Sequence, residues 1–248
     1  MAQQKSFELI NPAGRSPLVL TCEHASYHVP DEYQGLGISG DEIRRHIGWD
    51  IGARAVVQTL TQVLDAPAIC STYSRLLIDC NRDLSDHDLI VHHSDGTKVP
   101  LNNDLSVEER HRRIERFYQP YHEAIDNLFS TRDREHLTLL SIHSFTPVLG
   151  KSERRFDLGI LFDHYEDLAQ EVGQRLAYSG SAVRYNEPYS GYDGLIFSAR
   201  THGQRHGVVY LEIEINNSLI TNGEQAKRMG QILGTVLREM FLKNPDKQ

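Results

Sequence analysis

Leu137-Thr138-Leu139-Leu140-Ser141-Ile142-His143 is an apolar run that closes on a histidine. Leu18-Val19-Leu20-Thr21-Cys22-Glu23-His24 does the same near the N-terminus, and Val208-Val209-Tyr210-Leu211-Glu212-Ile213-Glu214 ends on carboxylates. Short, nearly continuous apolar runs are what strands look like when helices cover both faces of their sheet. In an open α/β sheet, ligands bind in the crevice beyond the carboxyl ends of the strands. A polar side chain ending a buried strand needs a partner there. Two imidazoles and one or two carboxylates delivered to that edge are the donor set of a hydrolytic zinc site.

Working outward, strands alternate with helices. A polar loop, Ala25 to Gly40, leads to a helix capped by Ser39 or Asp41 and reaching about Leu64. Its residues Ile43, Ile47, Ile51, Val56 and Leu60 recur at helical spacing. Short strands are expected at Ala68–Thr72 and Arg75–Cys80, then a long polar loop from Asn81 to Asp104 with Asp-Gly and Val-Pro turn signals. Ser106-Val107-Glu108-Glu109 is a capping box that opens a helix to about Ser130. The His143 strand is followed by a charged loop (Lys151–Arg155), a strand (Phe156–Phe162), a helix (Tyr165–Tyr178) and a short strand (Ala182–Tyr185). A glycine-containing segment, Asn186 to Gly207, precedes the Glu214 strand, and a helix from Asn222 to Leu242 closes the chain. Neither a repeat nor a linker divides the sequence, so residues 1–248 are expected to form one α/β domain.

The bulk properties exclude several classes. A net charge of −8 argues against a nucleic-acid binder, which would cluster Lys and Arg against phosphate. No apolar window approaches the ~18 residues a membrane span needs, and Met1 to Glu8 has no apolar leader core. Cys22, Cys70 and Cys80 are too few and scattered for a disulfide framework or a thiolate zinc knuckle. A reduced, cytoplasmic protein follows as the expectation; oligomeric state is not legible.

Of thirteen histidines, most belong to surfaces and helix faces: His111, His122, His136 and His164 read that way, as does the loop pair His92-His93. His24 and His143 differ by their position at strand ends. A third donor is offered by His46-Ile47-Gly48-Trp49-Asp50-Ile51-Gly52-Ala53, where His46 and Asp50 stand four apart and would share a helix face. Gly48 and Gly52 suggest close approach to the sheet. Arg75 and Arg82 bracket a polar-ended stretch, Arg75-Leu76-Leu77-Ile78-Asp79-Cys80-Asn81-Arg82, and a guanidinium there suits a carboxylate or a developing oxyanion. Asp79 equally suits a structural pair with an arginine.

Five stretches occur in order: Cys22-Glu23-His24-Ala25-Ser26, Trp49-Asp50-Ile51-Gly52-Ala53, Asp79-Cys80-Asn81-Arg82-Asp83-Leu84, Ile142-His143-Ser144-Phe145 and Glu214-Ile215-Asn216-Asn217-Ser218-Leu219. With Asn186-Glu187-Pro188-Tyr189-Ser190-Gly191 before the last strand, the chain resembles the N-formylglutamate amidohydrolase family from about residue 16 to 236. That resemblance implies a mixed, mostly parallel central sheet between helices, similar to zinc carboxypeptidases and peptidoglycan amidases. It implies one zinc held by His24, Asp50 and His143, with Glu214 as catalytic base. Arg75 or Arg82 would stabilise the oxyanion, and Arg200, Asn81 and Asn186 would contact a small substrate bearing a carboxylate. Glu23, beside His24, is an alternative carboxylate ligand. Glu212 shares a strand face with Glu214 and is an alternative base, although Glu214 lies nearer the strand end.

The implied reaction is hydrolysis of a small N-acyl amino acid, foremost N-formyl-L-glutamate to L-glutamate and formate. Zinc with an open position lowers the pKa of water towards ~7, and Glu214 would take that proton and return it to the leaving amine. The rival readings are a hydrolase of the same architecture acting on another amide, such as a peptidoglycan stem, and a non-catalytic metal-binding or regulatory relative. The second rival should have lost a ligand or the base, and none is missing.

Overall fold

The computed structural model describes residues 5–133 and 136–242. Met1–Gln4 and residues 243–248, the two ends of the domain expected over 1–248, lie outside the described residues. The strands are β1 (Phe7–Ile10), β2 (Leu18–Cys22), β3 (Ala68–Ser71), a small hairpin β4 (His93–Ser94) and β5 (Thr97–Lys98), β6 (Thr138–Phe145), a second hairpin β7 (Val148–Leu149) and β8 (Ser152–Glu153), β9 (Leu158–Leu161), β10 (Val183–Tyr185) and β11 (Val209–Asn216). The helices are α1 (Gly40–Ile43), α2 (Ala53–Leu64), α3 (Val107–Arg113), α4 (Gln119–Ser130), α5 (Glu166–Tyr178), α6 (Phe197–His206) and α7 (Gly223–Phe241). Seven strands form one sheet in the order β1-β3-β2-β6-β11-β9-β10. Strands β3, β2, β6 and β11 run parallel, β1 is antiparallel to β3, and β9 and β10 run against β11. The mixed, mostly parallel sheet is as expected.

Strand alternation divides the residues between two layers. Leu18, Leu20 and Cys22 of β2, Leu140 and Ile142 of β6, and Leu211, Ile213 and Ile215 of β11 enter an apolar cluster with α2, α5 and α7. Each fully buried aliphatic side chain there stabilises the fold by about 1.5–3 kcal/mol. Val19, Leu139 and Tyr210 take the other face, beneath Phe117, Tyr121, Ile125 and Ala199. Thr21, Ser141, His143, Glu212 and Glu214 alternate with the apolar set and are buried. The functional edge is therefore the carboxyl end of three adjacent parallel strands, on the face opposite α2 and α7. In the register between β11 and β6, Glu214 stands opposite His143 and Glu212 opposite Ser141.

Four local expectations are corrected. The helix expected to run from Ser39 or Asp41 to Leu64 is broken: only Gly40–Ile43 and Ala53–Leu64 are α-helical. A Cβ on Gly48 would meet the Ile43 carbonyl oxygen at 2.0 Å, and Gly52 takes φ +82° against the Ile220 carbonyl. His46 and Asp50 consequently do not share a helix face. The expected strand Arg75–Cys80 is a turn, with Leu77 N donating to Ser74 O, although Leu76, Leu77 and Ile78 are buried as the apolar run implied. The Asn186–Gly207 segment contains helix α6, whose one buried stripe is Ser198, Ala199, His202 and Gly203, too small and polar to be read as amphipathic. His122, read as a surface or helix-face residue, is on α4 as that reading allowed, but partly buried against His202 rather than at the surface.

The helix after the capping box reaches Ser130 as expected, passing through a π turn at Ile114–Tyr118. Ser106 Oγ accepts the Glu109 N–H at its start. Asn222 likewise caps α7, and Asp95-Gly96, both at positive φ, turn the first small hairpin. No helix of the described residues is long and apolar enough to cross a membrane.

Candidate metal centre

His24 follows β2 directly, and its carbonyl accepts the Asp50 N–H at 2.9 Å, drawing the turn before α2 over the strand end. His143 lies near the end of β6, 2.7 Å through Nδ1 from Asp50 Oδ2. His24 Nδ1 is 3.4 Å from the same oxygen. The two rings meet edge to face, 4.8 Å between centroids. His24, Asp50 and His143 each offer a donor atom to one group, all within 4.8 Å of one another and all buried.

Each imidazole is held from behind by a further carboxylate. His24 Nε2 is 2.6 Å from Asp79 Oδ1, and His143 Nε2 is 2.9 Å from Glu23 Oε2. An N–H donated at each Nε2 fixes the ring orientation a metal ligand needs: with an ion bound, both Nδ1 atoms would give up any proton and offer their lone pairs on the Asp50 side. His24 Nδ1 is buried with no hydrogen-bond partner among the described residues. Glu23 also accepts from Ser141 Oγ (2.6 Å) and Tyr121 Oη (3.0 Å). Both of its oxygens are thus engaged beneath His143, and it does not line the cavity above.

That cavity, about 290 Å³, is lined by His24, Asp50, His143, Glu212, Glu214, Arg75, Arg82 and Asn81, together with His46, Ser144, Phe145, Thr146, Tyr189 and Leu195. Glu212 Oε2 accepts from Asn81 Nδ2 at 3.3 Å and lies 3.6 Å from His143 Nε2. Glu214 is looser: its Oε2 is buried and has no partner among the described residues. Gly159 on β9 faces it, and the Gly159 position leaves only 3.3 Å between a built Cβ and Glu214 Cβ.

The electrostatics are dominated by five buried carboxylates (Glu23, Asp50, Asp79, Glu212 and Glu214). Burial pushes Glu214 well above the usual carboxylate range and Glu212 up to about 7. Burial acts the same way on Glu23, Asp50 and Asp79, but the neighbouring imidazoles outweigh it and hold all three well below that range; for Asp79 the Arg75 guanidinium adds to this. For His143 burial works against the charged form, yet Glu212, Asp50 and Glu23 raise it strongly. The centre is built to attract positive charge, and its mixed nitrogen and oxygen donors suit a borderline-soft divalent ion.

The remaining sequence candidates divide. Arg75 reaches the cavity but is tied to Asp50 (3.5 Å) and Asp79 (3.2 Å). Arg82 also lines it, with looser partners: the Asn81 carbonyl at 3.0 Å and Asp86 at 3.8 Å. Asn81 is held by Ser198 N, Leu195 O and Glu212. Asn186 is not among the lining residues; its Oδ1 accepts from Phe162 N and Gly191 N and shapes the loop. Arg200 is likewise absent from the lining and lies beside Gly194. Lining residues not singled out from sequence are Tyr189, held by Arg154 at 3.3 Å, Thr146 and Leu195. Tyr189 lies inside the Asn-x-Pro-x-x-Gly stretch, which was the available signal.

A sheet of this topology gathers imidazoles and carboxylates at the ends of its parallel strands, where they could hold a metal ion. A family model for N-formylglutamate amidohydrolase matches residues 16–221, and the chain belongs to that family. It is an amidohydrolase. The gene product Atu2144 from Agrobacterium tumefaciens is 31% identical, with a TM-score of 0.90 and 96% of each chain covered. N-formylglutamate amidohydrolase from Ralstonia eutropha JMP134 shares the fold at 22% identity and a TM-score of 0.75, covering 96% of this chain and 97% of that one. No curated protein sequence matches the chain significantly.

Proposed function

We propose that the chain is a zinc-dependent amidohydrolase that converts N-formyl-L-glutamate to L-glutamate and formate. The observation that carries this reading is the convergence of His24 Nδ1 and His143 Nδ1 on Asp50 Oδ2, each ring fixed from behind by Asp79 or Glu23. His24, Asp50 and His143 would hold the ion, and Glu23 and Asp79 orient its imidazoles. Zinc in such a donor set supplies Lewis acidity and a lowered pKa for water.

Glu214 is the base, because its free Oε2 faces the cavity while Glu212 is engaged by Asn81. A divalent cation beside it would offset the burial that raises it and keep it ionised, so that it accepts a proton from the attacking water and delivers it to the departing amine nitrogen, which leaves poorly unless protonated. Arg82, the less committed of the two arginines, pairs with a carboxylate of the substrate. Arg75 holds Asp50 and Asp79 in place and so shapes the centre. A cavity of about 290 Å³ suits a small acyl amino acid.

Formate release from N-formyl-L-glutamate by the zinc-loaded chain tests the reading. Glu214→Gln should lower kcat by about 10²–10⁴ with zinc content unchanged, and Glu212→Gln should cost less. Full turnover in Glu214→Gln, or no release of formate by the wild type, contradicts it.

A further inference from the structure

A second cluster of metal-ligating side chains lies away from the cavity, where α4 crosses α6. His122 and Asp126 of α4 face His202 and His206 of α6, two pairs each spaced by one helical turn. Asp126 Oδ1 receives both His202 Nδ1 and His206 Nε2 at 2.8 Å. Its Oδ2 is bonded by Arg205. His202 is fully buried, and its Nε2 meets His122 Nδ1 at 2.8 Å. The His122 and His202 rings stack at 5.1 Å, and Phe129 stacks on His206 at 4.9 Å.

We propose that Asp126, His202 and His206 form a second binding site, for a borderline-soft divalent ion such as zinc, that braces α6 against α4. Two imidazole nitrogens and a carboxylate oxygen converge on one point, each within 4.8 Å of the others. Zinc bonds of about 2.0–2.2 Å in a tetrahedron space their donors by roughly 3.3–3.5 Å. The 2.8 Å contacts therefore need open by only about half an ångström. Arg205 occupies Oδ2 alone and leaves Oδ1 to the ion. A metal-binding imidazole donates its other N–H to a fixed acceptor, and His202 has one in His122 Nδ1. Stacking against Phe129 fixes the ring of His206. Asp126 keeps 29% of its side-chain surface exposed, so the ion has access from solvent and room for water as a further ligand.

The site lies on the helix that supports the first centre. Ser198 N, at the start of α6, bonds Asn81 Oδ1, and Asn81 bonds Glu212. An ion at His202 and His206 thus steadies the far end of an element whose near end positions the cavity wall. The expected consequence is on thermal stability more than on turnover.

Zinc titration of the full chain after chelator treatment, followed by calorimetry, tests the proposal. The wild type should take up two equivalents of different affinity. His206→Ala should lose the weaker and keep the tighter, and His24→Ala should do the reverse. Asp126→Asn keeps an oxygen for the two imidazole N–H groups but weakens ion binding, so the weaker affinity should fall at least tenfold. That variant carries the test if His206→Ala fails to fold. Equal uptake by the wild type and His206→Ala, or an unchanged weaker affinity in Asp126→Asn, overturns the second site. A single equivalent removed by His206→Ala and retained by His24→Ala would instead overturn the first.

Discussion

On β6, Leu140 and Ile142 enter the apolar layer beneath α2, α5 and α7, whereas Leu139, Ser141 and His143 take the opposite face, on the side of α4 and α6. β11 repeats the division: Leu211, Ile213 and Ile215 on one side, Tyr210, Glu212 and Glu214 on the other. The same strands therefore supply a uniform hydrocarbon layer and a graded one, apolar at its base and ionic at its carboxyl end. Alternation lets neighbouring residues serve separate ends. Close packing on the first face fixes the backbone, and a fixed backbone holds the donors on the second. A buried concentration of carboxylates is tolerated because each is paired with an imidazole, an arginine or an asparagine, Glu214 excepted.

Two substitutions test that division. Leu140→Ala opens a cavity in the hydrocarbon layer and should cost about 2–5 kcal/mol in urea denaturation, with zinc affinity of the folded protein within about twofold of wild type. A large loss of metal affinity would mean that the two faces are coupled. Asp79→Asn acts on the ionic face: it keeps the shape behind His24 but removes the charge. Chelator competition should show zinc affinity lowered by about 10–100-fold, with a smaller loss of stability than Leu140→Ala. Unchanged affinity would reduce Asp79 to a partner of Arg75.

The strand core was legible because a strand buried on both sides needs little beyond apolar residues in a short run. His24, His143 and Glu214 were legible because each ends such a run. What the sequence concealed depends on contacts between distant segments. The helix break between Ile43 and Ala53 comes from Gly48 and Gly52 meeting backbone carbonyls, one of them Ile220, while apolar spacing continues across the break. Asp50 was found through a motif, and its true setting is a turn bonded to His24 O. Glu23 and Asp79 required knowing which side of each imidazole faces the cavity. Arg200 and Asn186 were named for their segment and lie outside the lining, since α6 and its loop turn them elsewhere. The pairing of His122 with His202, 80 residues apart, left no local trace at all.

The claim on which the functional reading stands is that His24, Asp50 and His143 hold the ion. Zinc content of the purified chain, measured after dialysis against a weak chelator, tests it most directly. The wild type should retain about one tightly held zinc, and His143→Ala should lose it while keeping a folded circular-dichroism spectrum. A folded His143→Ala protein that retained the tight zinc, and still released formate from N-formyl-L-glutamate, would contradict the account.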